Sequence, residues 1–150
     1  MQFRSACLVI FTLLTACGFN IPGPGLSDFS ADFGNGYGLH RTSGVYVIIS
    51  PEGGYVSDSE IIETRILECG YDDKFIVAKR LNWAAIPEGQ WAEALERLDP
   101  KLIDYWIIDV SRKQRFGPLS EADYRDMRLK LGVSEGIILR NIYDYRPKTN

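Results

Sequence analysis

The chain is short of the residue types from which most catalytic centres are built. It has one histidine, His40, and three cysteines, Cys7, Cys17 and Cys69. One histidine excludes the usual His-rich metal site. A Ser–His–Asp triad would need His40 with, for example, Ser43 and Asp109, and nothing in their spacing brings them together. An excess of positive charge is missing too. Lys and Arg number 17 against 20 Asp and Glu, a net charge of −3. That balance argues against nucleic-acid binding, which neutralises phosphates with basic residues. No apolar run approaches the about 20 residues that a membrane-spanning helix needs. Gly34-Asn35-Gly36-Tyr37-Gly38 is G-x-G-x-G, not the G-x-G-x-x-G of a dinucleotide site. β-like sequence follows it, so it reads as a turn. EF-hand spacing and repeats of fixed period are also absent.

What is present begins at the N-terminus. Arg4 supplies one positive charge, Ala6 to Leu14 form an almost unbroken apolar run, and small residues follow at Thr15 and Ala16. Charged head, short apolar stretch and small residues are the layout of a secretory signal peptide. Leu14-Thr15-Ala16-Cys17 resembles the lipobox of bacterial lipoproteins. The resemblance implies cleavage between Ala16 and Cys17 and a diacylglyceryl group on the Cys17 thiol. The freed amine can take a further acyl chain, palmitate for example. Each buried CH₂ contributes about 0.8 kcal/mol, and one chain anchors only marginally, so two or three chains hold the protein at the membrane. The expected location is the extracytoplasmic side of the cell envelope. Gly18 after the cysteine, in place of Asp, directs it to the outer membrane, facing the periplasm, if the cell is Gram-negative.

Removal of residues 1–16 takes the net charge from −3 to −4, because Arg4 is the only charged residue there. It also removes Cys7, and lipid consumes Cys17. Cys69 is then alone, so neither an internal disulfide nor a cysteine-based metal site can form. Cys69 is either a reactive thiol or a small buried hydrophobe on a strand, and the second is the common use of cysteine.

The mature chain divides into a tether over 17–36 and a single α+β domain over 37–150. Gly18 to Gly36 is rich in Gly, Pro, Ser, Asp and Asn. Ile21-Pro22-Gly23-Pro24-Gly25 sustains neither helix nor central strand. Leu26 to Phe33 is the segment placed to make the first contact with the fold. Strands are predicted over Tyr37–Arg41, Val45–Ile49, Ile61–Cys69, from Phe75, over Tyr105–Val110, and from Arg115, with a last one over Ile137–Leu139. Trp91, Ala94, Leu95 and Leu98 fall on one face of a short helix that Pro100 ends. A second helix starts after Ser120, whose hydroxyl caps the N–H of Asp123. It buries Tyr124, Met127 and Leu131 and stops at Gly132. The fold class is α+β, an antiparallel β-meander with a C-terminal packed helix and one short inserted helix. Tyr105–Val110 has too few polar residues for a strand with one wet face. Trp106 is therefore expected in the core, with Ile108 on its face or with both faces of the strand covered.

Several stretches resemble a family of small uncharacterised bacterial lipoproteins that carry a domain of unknown function. They are Gly25-Leu26-Ser27-Asp28-Phe29, Gly36 to Ser43, Gly70 to Lys79, Tyr105 to Asp109, and Phe116 to Ser120. Trp83–Pro100 is longer than the resemblance suggests and reads as an insertion. The family implies fold and location but no activity.

Two functions from different classes follow. The first is a membrane-anchored envelope lipoprotein acting as a non-enzymatic binding or interaction module for an envelope protein or cell-wall partner, with no cofactor, metal or nucleic acid. The alternative is a small carboxylate-dependent hydrolase of the cell envelope, which needs Asp72, Asp73, Asp104 or Asp109 to converge in a pocket. Arg112, Lys113 and Arg115, with Arg125, Arg128 and Lys130 nearby in sequence, offer a basic surface for an acidic partner or anionic headgroups, or simply a solvated face.

Overall fold

A computed structural model of the chain describes residues 28–53 and 60–148. The expected signal peptide over 1–16, the expected lipidation site at Ala16 and Cys17, and residues 18–27 of the expected tether lie outside the described residues. β1 (Phe29–Asp32), β2 (Tyr37–Arg41) and β3 (Val47–Pro51) form a small antiparallel sheet in that order. The larger sheet has the order β7-β6-β5-β4-β8, from β4 (Ile66–Tyr71), β5 (Phe75–Leu81), β6 (Ile103–Asp109), β7 (Gln114–Leu119) and β8 (Arg140–Asn141). Two helices accompany it, α1 (Trp91–Arg97) and α2 (Glu121–Leu131). This is the expected α+β class, a β-meander with a helix near its C-terminus.

The large sheet is the middle of three layers. Side chains alternate across a strand, and β6 uses both sides. Trp106 and Ile108 join Ile76, Ala78 and Cys69 against Leu39, Val47 and Ile49 of the small sheet. Ile107 joins Val77 against Tyr124 and Met127 of α2. A strand covered on both faces has no polar side to show, which explains the apolar run in β6. α1 closes a third cluster through Ala94 and Leu95, against Leu81 and Ile86.

α2 obeys its caps. Ser120 Oγ accepts from the Asp123 N–H, and Gly132, at φ 71°, takes the left-handed conformation in which its N–H reaches the last turn. α1 is shorter than its apolar spacing suggests. Leu98 is its C-terminal cap at φ 43° and is exposed, and Pro100 opens a 3-10 turn.

Four segments differ from expectation. Phe29–Asp32, inside the expected tether, makes the contact with the fold expected of Leu26–Phe33, but as a strand paired with His40 and its neighbours. The edge of β2 supplies the hydrogen bonds that its own composition does not advertise. β3 begins at Val47, because Val45 and Tyr46 N–H groups bond the Ser43 hydroxyl in the preceding hairpin. Of Ile61–Cys69 only the part from Ile66 belongs to β4. Ile62 instead bridges Ile49 of the small sheet, and the Leu81 N–H bonds the Arg65 carbonyl, so residues 61–65 tie the two sheets together. Ile137–Leu139 is not a strand. Arg128 takes the Ile137 carbonyl, the Ile138 backbone crosses over Gly70, and pairing with β4 waits until Arg140.

Candidate functional site

The residues considered for catalysis do not meet. His40 Nδ1 lies 3.1 Å from Ser30 Oγ on the neighbouring strand. Ser43 is engaged by its own hairpin, and Asp109 sits at the far end of β6. The Asp72 carboxylate accepts the N–H groups of Lys74 and Phe75, both at 2.8 Å, which makes it a turn residue. Asp73 is exposed in the same turn. Asp104 and Asp109, five positions apart on one strand, fall on opposite sides of it. Burial works against the Asp109 carboxylate, yet the Ser111 hydroxyl at 2.7 Å, the Arg112 N–H and the Arg112 guanidinium together hold it below its ordinary value. Cys69 is fully buried in the core between the sheets, and burial pushes its thiol up to about 12 despite the Tyr145 hydroxyl nearby. That agrees with the buried-hydrophobe use.

Asp104 belongs to a charged cluster that sequence reasoning missed. It accepts from Arg80 Nε at 2.9 Å and Arg80 Nη2 at 2.7 Å, a two-point pair, and from the Trp106 indole N–H at 2.7 Å. The Arg80 and Arg115 guanidinium carbons lie 4.7 Å and 4.8 Å from the Trp106 ring centre. Gly117 leaves room for the indole, since a Cβ there would come within 2.5 Å of it. The one signal in the sequence is Asp104 and Trp106 two positions apart on the same face of a strand. Their cation is 24 residues away in the chain. Buried charge of this kind is tolerable because both carboxylate oxygens are met by donors, one of them cationic.

Most of the basic residues contact other groups of the fold, although Arg112, Lys113 and Arg125 do so from the surface. Arg112 faces Asp109, Lys113 lies 3.7 Å from Glu60, and Arg115 donates to the Ile61 carbonyl. Arg125 pairs with Glu121 one turn away. Arg128 donates to the carbonyls of Ser134 and Ile137 at 2.6 Å and 2.9 Å, binding the chain after α2 to the helix.

Among the described residues, a groove of about 460 Å³ opens between α2, β6 and the segment after the helix. Tyr105 and Tyr124, stacked at 4.8 Å between ring centres, form its apolar floor, and the exposed Leu129 its lip. Glu121, Arg125 and Glu135 supply polar groups at the rim. A second recess of similar volume opens on the other side of Tyr105, with Lys79, Lys101 and Ile103 in its wall. Burial raises the Tyr105 phenol above its ordinary value, partly offset by Lys79, so it stays a neutral donor. Aromatic floor and sparse polar rim suit binding of an amphipathic ligand or side chain. Nothing in the apolar pattern of β6 distinguishes half-covered Tyr105 from its neighbours, so the groove was not legible in the sequence.

No curated protein and no solved structure matches the chain. Residues 34–143, from the β1–β2 turn to the segment after β8, match the family described as protein of unknown function (DUF3997), and the chain belongs to that family.

Proposed function

We propose that the chain is an envelope lipoprotein, cut after Ala16 and lipidated on Cys17, whose domain is a binding module and not an enzyme. The anchoring rests on Leu14-Thr15-Ala16-Cys17 behind a short apolar run. Gly18 favours the outer membrane of a Gram-negative cell. The observation that carries the binding role is the employment of the candidate carboxylates. Asp72 shapes a turn, Asp104 holds Arg80 and Trp106, and Asp109 holds Ser111 and Arg112. The Tyr105 groove is the surface at which an envelope protein or cell-wall partner would bind.

Mass spectrometry of the membrane fraction tests the anchor. The expected product begins at Cys17 with lipid attached, and Cys17→Ala leaves an uncut precursor. A mature N-terminus elsewhere, or an unmodified Cys17, refutes it. For the binding role, a photocrosslinking side chain at Leu129 in intact cells should capture a discrete partner that the same group at Asp73 does not.

A further inference from the structure

A lipid anchor raises the question of which face of the domain meets the bilayer. The described chain begins at Asp28, at the end of the small sheet where β1 starts. Register places Phe29 opposite Arg41 and Arg41 opposite Val47. The β2–β3 hairpin, with Val45 and Tyr46, is therefore at the same end. The Arg41 guanidinium lies 3.8 Å from the Asp28 carboxylate and 5.6 Å from the centre of the Tyr143 ring. Tyr143 also contacts Phe29, with ring centres 6.4 Å apart. Tyr143, Leu98 and Arg65 share one small recess of about 120 Å³.

Among the described residues, seven large hydrophobic side chains are exposed, and four of them, Val45, Tyr46, Leu98 and Tyr143, at 40–52%, gather at this end. Two cations sit among them. Burial lowers the affinity of Arg65 for its proton, Tyr143 opposes this, and the neighbouring Arg41 adds to it. None of the ion pairs among the described residues engages Arg65. The opposite end is different in kind. There Asn35 bonds the Asp72 carbonyl and Val110 bonds the Lys74 carbonyl, which brings three polar turns together. Its Arg112 and Lys113 already face Asp109 and Glu60.

Tyrosine and aliphatic side chains around cations are the composition of surfaces that rest in the headgroup region of a bilayer. From Cys17 to Asp28 the chain can extend at most about 40 Å. The anchor would thus hold this end at high effective concentration near the surface, where weak contacts suffice. We infer that the end of the domain where β1 begins docks on an anionic lipid surface, with Val45, Tyr46, Leu98 and Tyr143 entering the headgroup layer and Arg65 receiving a lipid phosphate. This rests on the lipid anchoring proposed above.

The test uses the mature protein, residues 17–150 with lipid on Cys17, in vesicles of phosphatidylglycerol or of phosphatidylcholine. An environment-sensitive fluorophore is attached at Val45→Cys or, at the opposite end, at Asp73→Cys; buried Cys69 does not compete. In phosphatidylglycerol the probe at 45 should shift to the blue and be quenched by headgroup-proximal spin-labelled lipid, while the probe at 73 stays in water. Arg65→Gln should lower the docked fraction about fivefold, and Arg65→Lys should keep most of it. Flotation reports anchoring separately. Protein that floats with its position-45 probe in water, or with both probes quenched alike, overturns the docking face alone, as does an Arg65→Gln variant that docks like the parent. Protein that does not float overturns the anchor and the inference with it.

Discussion

The two faces of the large sheet are built from the same kind of strand and end up differently. On the face toward the small sheet, Leu39, Ile49, Ile76 and Ile108 are all fully buried, and even the Asp104 carboxylate is buried beside Trp106, with the part-buried Arg80 as its partner. On the other face one helix of eleven residues covers Val77 and Ile107 but leaves Tyr105 at the floor of an open groove. A sheet can seal another sheet across its width, whereas a helix about 10–12 Å across covers little more than two strands spaced at about 4.8 Å. Stability should therefore reside mainly on the first face, and surface for a ligand on the second.

The most forceful way to break this contrast is Trp106→Ala. It removes a 5% exposed indole and strips Asp104 of a donor, and should cost about 3–5 kcal/mol, a large share of the 5–15 kcal/mol typical of a domain. Trp91→Ala, at a site 41% exposed and backed chiefly by Trp83, should cost about 1 kcal/mol. Urea titration of both beside the parent decides, and equal midpoints would show that the sealed face does not dominate.

On the helix side, Ser120→Ala should cost about 1 kcal/mol through the lost cap at Asp123. Hydrogen exchange sharpens the comparison. α2 amides should lose protection while those of β2 and β3 keep theirs, and a uniform loss would mean that the two faces unfold as one unit.

The smallest effect is expected at the edge of the β6–β7 hairpin. The folded Asp109 carboxyl is held below its ordinary value. Its contribution is thus present above the unfolded value of about 3.9 and is lost as pH falls through the lower folded value. Asp109→Asn should flatten the acid limb of stability against pH and leave the neutral region nearly parallel to the parent. An unchanged acid limb would remove Asp109 from the account.

Legibility followed the range of the interactions. α2 could be read to the residue because Ser120, its apolar spacing and Gly132 act within one or two turns. β6 could be read because six consecutive residues carry the pattern of a strand covered on both sides. β1 could not, since four residues with weak strand preference become a strand only through the edge of β2. The strand expected over Ile137–Leu139 failed for a related reason. Its apolar residues are genuine, but the Ile137 carbonyl is claimed by Arg128 and the Ile138 backbone passes over Gly70.

The sequence by itself determined the α+β class, the limits of α2 and the core position of Trp106, along with the lipobox reading on which the proposed anchor rests. These depend on periodicity, caps and residue chemistry, all of which act locally along the chain. Only the tertiary structure decided that Arg80, Asp104, Trp106 and Arg115 form one cluster, that Tyr105 floors a groove, and that Arg41, Arg65 and Tyr143 share the end where β1 begins. Those juxtapositions depend on strand register and on how three layers stack, and a shift of one residue in register would send each side chain to the opposite face.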